Sequence, residues 1–472
     1  MGGERREERG EGEFYNHRLM MNSILIERPS TPLRGRVQAP ADKSITHRAL
    51  LFGALNRRAT HIINPSSSAD CLATANLLRG LGYRLESEGD RLHLLPPISP
   101  PPPSSQSLLI EHNIACRNID CHNSGTTARM AMGFLSATAG TFQLTGDGSL
   151  RKRPMERVAG PLRQIGATVE TSGGTMPITI QGKEGLEGWI DEPIPVASAQ
   201  VWTALALAGL RSRNGVRLRQ TTPMRDHSAR MMQHMGLPLS VADTATGPVA
   251  TIRPGILDAE TTISIPGDLS GAAFLVAAAV LVPGSELVVD DVGLNPTRIA
   301  FLHALLAMGA RVQWQVESEA SNEPRGTITA AYSPALRGTV FDPQPTPAAP
   351  IAEMMDELPL LALVAARAEG TTVVRGAAEL RVKESDRISQ TAAVIRSMGG
   401  QVMELEDGFS IAGIQALEGG CQIHHAGDHR ICMMAAVAGL VANQPIEILN
   451  PSVAEVSFPK FWETLLQAKK GG

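Results

Sequence analysis

The sequence predicts an α/β protein assembled from six copies of one small unit. Two observations predict it. A short apolar helix, a glycine and an extended segment recur at residues 77–85, 162–169, 231–239, 305–312 and 395–402. Glycine just past the last helical turn is the favoured left-handed cap, and the segment after it reads as a strand. Ahead of each copy comes another helix rich in Ala and Leu, at residues 46–55, 127–137, 201–210, 272–282 and 358–368. A sixth such helix, 429–442, is followed by PIEIL and FWETLL and closes the chain. The spacing of roughly 70–90 residues is too long for a solenoid repeat and fits a βαβαββ module. Three units lie before about residue 265 and three after it.

In chain order, residues 1–20 are charged and poor in apolar residues. They lack the apolar core of a secretion signal, so residues 1–21 are expected to be a disordered extension. The chain is expected to cross between two halves at residues 39–42 and again at 264–268. That division gives one domain of residues 42–265, and a second made of 22–41 plus 266–472. PPISPPPPSS (96–105) and DPQPTPAAP (342–350) interrupt the repeats and read as exposed polyproline-type loops.

Composition bounds the function. No apolar run approaches the roughly 18 residues of a membrane span. A net charge of −4 gives no general basic field for nucleic acid or a membrane surface, so any anion site must be local. The five cysteines are odd in number and match no zinc spacing. They read as reduced thiols of a cytosolic protein.

The helix starts point to anions. The first helix opens Pro40-Ala41-Asp42-Lys43-Ser44-Ile45-Thr46-His47-Arg48, the second Asn123-Ser124-Gly125-Thr126-Thr127-Ala128-Arg129. The third opens Ala197-Ser198-Ala199-Gln200, the fourth Gly267-Asp268-Leu269-Ser270-Gly271 and the sixth Gly427-Asp428-His429-Arg430. A helix N-terminus offers unpaired N–H groups and about half a positive charge. Hydroxyl residues add donors, and glycine admits close approach. Ordinary capping by Ser, Thr, Asp and Asn accounts for any single start. It does not account for Lys43, Arg48, Arg153, Arg387 and Arg430 beside these ends, since cations there oppose the dipole. A second basic cluster, GDGSLRKRPM (146–155), reads as a loop, and MRDHSAR (224–230) sets Arg225, Asp226 and His227 at another helix start.

The chain centres on ELRVKESDRI (379–388), with charges at Arg381, Lys383, Glu384, Asp386 and Arg387. If the stretch from Lys383 onward is helical, Lys383, Glu384 and Arg387 share a face. Alone it reads as a solvated helix face; its company of cationic helix starts gives it a second reading.

In order, PADKSITHRALLFGAL, HNSGTTARM, DGSLRKRPM, ASAQ, RDH, PGDLSGAAF, LNPTR, MMDELPLLA, ELRVKESDRI, GDHRICM and SFPKF resemble the 5-enolpyruvylshikimate-3-phosphate synthase family, over about residues 23–466. The resemblance implies two similar domains, each of three βαβαββ units around a pseudo-threefold axis, closing on the ligands. It implies carboxyvinyl transfer from phosphoenolpyruvate to the 5-hydroxyl of shikimate 3-phosphate by a cytoplasmic monomer, with no metal or organic cofactor. Both substrates are anions, which suits the cationic helix starts.

By the same resemblance Asp356 and Lys383 serve the 5-hydroxyl, Glu384 handles the methyl proton, and Lys43 lies near the reacting centre. Arg153, Arg387 and Arg430 hold phosphoenolpyruvate, with Lys43, Gln200, Gly125 and Thr126 at that pocket. Lys43, Ser44, Arg48, Ser198, Gln200, Arg225, Asp356 and Lys383 hold shikimate 3-phosphate, and His429 reaches the leaving phosphate or stands behind it. Glu379 stands where many members carry Asn, Val456 where many carry Lys, and Ala199 where many carry Ser. Tolerant members carry Ala at the position of Gly125, so inhibition by glyphosate is expected. A sister transferase acting on UDP-N-acetylglucosamine uses a cysteine in the loop before an Arg-Pro pair. Here that loop is DGSLRKRP, with no cysteine between Cys121 and Cys421. The other rival is a non-catalytic anion- or RNA-binding protein on the same module. It would be expected to lack Lys383, Glu384 or Asp356, or to show a broad basic surface.

Overall fold

The computed structural model describes residues 22–97, 116–189, 198–220, 224–245, 247–342 and 350–470. The expected extension at 1–21 and most of both proline-rich stretches lie outside these residues.

Six small sheets carry the fold. The second unit shows the pattern whole. Strand Arg117–Asp120 lies parallel to Gly140–Thr145, which pairs antiparallel with Thr175–Gly182, which pairs antiparallel with Thr168–Ser172. Between them run the helices Gly125–Ser136 and Glu156–Gln164, giving β-α-β-α-β-β in sequence. The fifth unit repeats this with Val340–Phe341, Thr371–Val374, Gly408–Ala412 and Gln401–Leu405. Each glycine-ended helix foreseen from the sequence is present: Ala69–Gly80, Glu156–Gln164, His227–His234, Ala300–Ala307 and Arg387–Ser397.

Two units borrow their leading strand. Thr261–Ser264 runs parallel to Thr60–Ile63 and completes the first sheet, while Arg34–Gln38 runs parallel to Glu286–Gly293 and completes the fourth. The chain therefore changes halves at two neighbouring points. There Asp42 N donates to Pro266 O at 2.8 Å, Asp268 N donates to Pro40 O at 2.6 Å, and Ala41 bridges Gly267 antiparallel.

Apolar side chains form two separate cores. One spans Ile45 to Ile265; the other joins Ile24–Val37 to residues from Leu269 onward. The helices at their centres are apolar all round, as a helix buried on every side must be. All thirteen residues of Leu269–Leu281 are buried. In the first core, helices Gly125–Ser136 and Ala199–Leu210 approach so closely that a Cβ on Gly133 would lie 1.9 Å from Ala204 O. Only glycine fits that crossing. With their sides buried, these helices offer their N-terminal ends to the space between the cores.

Candidate active site

Among the described residues, eight α-helices open onto one cavity of about 300 Å³. The helix Lys43–Gly53 contributes Lys43, Ser44 and Arg48, and Gly125–Ser136 contributes Gly125, Thr126 and Arg129. Ala199–Leu210 contributes Gln200, with Ser198 at its cap. From the second core come Arg387 and, at the start of His429–Gly439, His429 and Arg430. Loops supply Arg153, Arg225, Asp356, Lys383 and Glu384. Every residue singled out from the sequence as a ligand or catalyst thus lines this cavity.

Capping explains the acids and not the cations. Asp42, Ser124, Asp268, Asp386 and Asp428 each accept from a backbone N–H in their own first turn. Ser198 makes no such bond.

The stretch from Lys383 onward is not helical, contrary to the helical-face arrangement considered from the sequence. Ala378–Val382 is a 3-10 turn, Lys383 is extended, and the helix begins at Arg387. Asp386 is the reason: its carboxylate accepts from the N–H groups of Ile388 and Ser389 at 3.1 Å and fixes the start there. The turn and the extended residues after it bring Lys383 and Glu384 to the cavity, and the first residue of the helix brings Arg387.

Arg387 is the best-held cation, at 1% exposure. Its guanidinium meets Asp428 at 2.8 Å, Glu384 at 2.5 Å and Asp356 at 3.3 Å. Burial disfavours its charge, but Asp428, Glu384 and Asp356 outweigh burial and raise its pKa. Asp356 also meets Arg225 of the first core at 2.9 Å. Burial opposes the Asp356 carboxylate, yet Arg430, Arg225, Lys383 and Arg387 hold it well below the usual range. Glu384 bridges Arg387 to Arg153 of the first core, which it meets at 3.2 Å. Burial opposes its charge too; Arg387 and Arg153 outweigh it and hold its pKa well down. Lys383 moves the other way: burial lowers its ammonium pKa, with Asp356 opposing. Burial and Lys43 push His429 down to about 3, so it is neutral at ordinary pH. Its Nε2 is buried and finds no hydrogen-bond partner.

Nine lysine and arginine side chains face five carboxylates around the cavity, an excess of four positive charges in a chain whose net charge is −4. Such a concentration attracts and orients anions. Among the described residues no cluster of His, Cys, Asp or Glu is arranged to hold a metal ion, and no helix is long and apolar enough to cross a membrane.

Three contributors were given no role from the sequence. Asp70 meets Lys43 Nζ at 2.7 Å. Arg129 donates to Gln200 Oε1 at 3.1 Å and orients that amide. Arg157 reaches across the cavity to Glu379 at 3.0 Å. The one available cue was Arg129, a lone charge within the otherwise uncharged helix Gly125–Ser136. Val456 does not reach the cavity, whereas Ala199 lines it.

The family model for EPSP synthase (3-phosphoshikimate 1-carboxyvinyltransferase) matches residues 27–465. The chain belongs to the EPSP synthase family. It is 41% identical over 442 residues to the 3-phosphoshikimate 1-carboxyvinyltransferase of Thermus thermophilus, covering 93% of this chain and 97% of that one. The enzyme of Desulforudis audaxviator is also 41% identical, over 93% and 97%. Among solved structures, EPSP synthase from Acinetobacter baumannii superposes with a TM-score of 0.76 at 35% identity, over 94% of this chain and 97% of that one. The enolpyruvyl transferase NikO from Streptomyces tendae shares the fold, with a TM-score of 0.71 at 17% identity over 95% and 97%. The six sheets, four of four strands and two of three among the described residues, and the two cores make up an EPSP synthase fold of two similar domains.

Proposed function

We propose that this cavity transfers the carboxyvinyl group of phosphoenolpyruvate to the 5-hydroxyl of shikimate 3-phosphate and releases phosphate, as a 3-phosphoshikimate 1-carboxyvinyltransferase of aromatic amino-acid biosynthesis. The observation that carries the reading is the meeting of cations from both cores with two carboxylates and an ammonium in a single cavity.

The chemistry divides among the residues as follows. The 5-hydroxyl oxygen attacks the central vinyl carbon while its proton leaves and the terminal methylene gains a proton. The product is a tetrahedral ketal, and loss of phosphate with a methyl proton restores the vinyl group. Asp356 and Lys383 handle the hydroxyl proton; burial lowers the Lys383 ammonium toward the operating pH, and the Asp356 carboxylate beside it stays ionised. Glu384 handles the methyl proton, with Lys43 near the reacting centre. Arg153, Arg387 and Arg430 hold the phosphate and carboxylate of phosphoenolpyruvate, groups their planar forks match. Lys43, Gly125 and Gln200 complete that pocket, with Thr126 beside Gly125. Ser44, Arg48, Ser198, Gln200 and Arg225 join Lys43, Asp356 and Lys383 around shikimate 3-phosphate.

Glu384 engages the guanidinium groups of both Arg153 and Arg387. An incoming substrate anion that takes those groups removes what holds the carboxylate ionised. Its pKa then rises toward the range an acid needs to donate. Residues 42–265 and residues 22–41 with 266–472 act as the two bodies that close on the substrates. The enzyme works as a cytoplasmic monomer, and Gly125 leaves room for glyphosate.

Phosphate release from phosphoenolpyruvate tests the reading, measured with shikimate 3-phosphate and then with UDP-N-acetylglucosamine. Release with the first and not the second is expected. Release with the sugar nucleotide alone overturns the assignment, and release with neither favours a binding protein.

A further inference from the structure

Residues 294–298 (LNPTR) contribute no atom to the cavity, yet they stand behind one of its cations. Asn295, 1% exposed, belongs to the second core's half of the chain. Its amide nitrogen donates to Asp226 Oδ1 at 2.7 Å and to Glu323 Oε2 at 3.0 Å. Its own oxygen accepts from Thr297 N at 2.9 Å and lies 2.9 Å from the Thr297 hydroxyl. That hydroxyl is also 3.3 Å from Asp226 Oδ1. The second oxygen of Asp226 accepts from Arg230 Nε at 2.8 Å, and the second oxygen of Glu323 meets His227 Nδ1 at 2.8 Å. Arg225, which precedes Asp226 and His227, extends its fork to Asp356.

We propose that Asn295 is a positioning residue for Arg225. It anchors Asp226 and Glu323 together across the join between the halves, and so fixes where Arg225 presents its guanidinium. The inference rests on the reading of Arg225 as a ligand of shikimate 3-phosphate. Every polar atom of the Asn295 side chain is used, so no shorter residue reproduces the link. A buried acceptor stripped of its donor is costly, and the aspartate next to Arg225 is the group that would move.

Steady-state kinetics of Asn295→Ala, Arg225→Ala and the double variant test this, with thermal unfolding recorded for each. Asn295→Ala is expected to raise KM for shikimate 3-phosphate about tenfold, while KM for phosphoenolpyruvate stays within about twofold. The double variant is expected to match Arg225→Ala alone, because Asn295 acts through it. Wild-type KM for shikimate 3-phosphate in Asn295→Ala, or additive losses in the double variant, overturn the proposal and leave the ligand reading intact. An unchanged KM in Arg225→Ala overturns both. If Asn295→Ala does not fold, Thr297→Val removes the hydroxyl facing Asp226 at nearly constant volume. A smaller rise in the same constant then supports the inference, and no rise overturns it.

Discussion

Replacing Gly125 by alanine places a methyl group against two guanidinium forks. A Cβ at Gly125 would lie 3.1 Å from both Arg129 Nη1 and Arg153 Nη1, and 3.6 Å from Leu150 Cδ1. Both nitrogens end flexible side chains, so the forks shift by a few tenths of an ångström and the backbone stays. The fold does not suffer: the position opens a helix, where alanine is favoured over glycine by about 0.5–1 kcal/mol. A hydrogen bond to a charged group is worth about 1.5–3 kcal/mol, so half of one is about a 3- to 12-fold change in binding. KM for phosphoenolpyruvate is expected to rise by that factor. Glyphosate carries one more chain atom between its phosphorus and its carboxylate and presses on both forks. Its inhibition constant is expected to rise about 10- to 150-fold, the same loss taken twice. Phosphate release at varied phosphoenolpyruvate and inhibitor gives both constants, and thermal unfolding checks the fold. Wild-type values of both constants in the variant would refute the steric argument. So would a wild-type enzyme that keeps full activity in millimolar glyphosate at ordinary phosphoenolpyruvate affinity.

Other expectations follow from the same geometry. Glu384→Gln should lower kcat by about 10²- to 10⁴-fold, the range of a general acid, while a tryptophan fluorescence titration still reports shikimate 3-phosphate binding; an active variant removes Glu384 from the proton transfers. The Arg157–Glu379 pair spans the cavity with a partly exposed glutamate, so its worth is at most about 1 kcal/mol. Glu379→Gln should cost about fivefold in kcat/KM, and exchanging the two charges should recover most of it; no recovery means that the contact is incidental. Burial and the nearby Asp268 raise the Asp42 carboxyl from 3.8 to about 6. The folded chain then binds a proton that the unfolded chain releases, so stability is full below pH 3.8 and is lost as pH rises to about 6. Asp42→Asn, which keeps a capping side chain, should lack this loss of ~3 kcal/mol. Its melting temperature should gain on the wild type between pH 4 and pH 7, and a constant difference would contradict the linkage.

Much of the architecture was legible because its signals are local. Glycine after an apolar helix and a polar residue before one mark ends that the structure keeps. What the sequence hides is partner choice at long range. Nothing near Arg34–Gln38 says that it pairs with Glu286–Gly293, since any strand offers the same row of N–H and C=O groups. Arg157 and Glu379 lie 222 residues apart, and each alone is an ordinary surface charge. The helical arrangement considered for Lys383 does not form, for a different reason: the charge spacing there is helical, but Asp386 satisfies the first N–H groups and starts the helix at Arg387. The residues that line the cavity were named from motifs, whereas the contacts of Asp70 with Lys43 and of Arg129 with Gln200 needed the assembled helices to be seen.

A ribosome delivers this chain from its amino end, and the crossing at Ala41 and Gly267 decides what can fold first. Thr261–Ser264 completes the sheet begun by Thr60–Ile63, so one half is finished as soon as that strand emerges. The other half must wait. Its first strand, Ser23–Ile26, pairs with Ile446–Leu449, and Ser23 donates to Glu447 across 424 residues of sequence. During synthesis the nascent protein therefore holds one mature half pinched off at its neck, while Ser23–Ile26 stays unpaired until Ile446–Leu449 has emerged. A chain cut soon after Thr261–Ser264 keeps the first sheet complete and lacks Asp356 and Glu384.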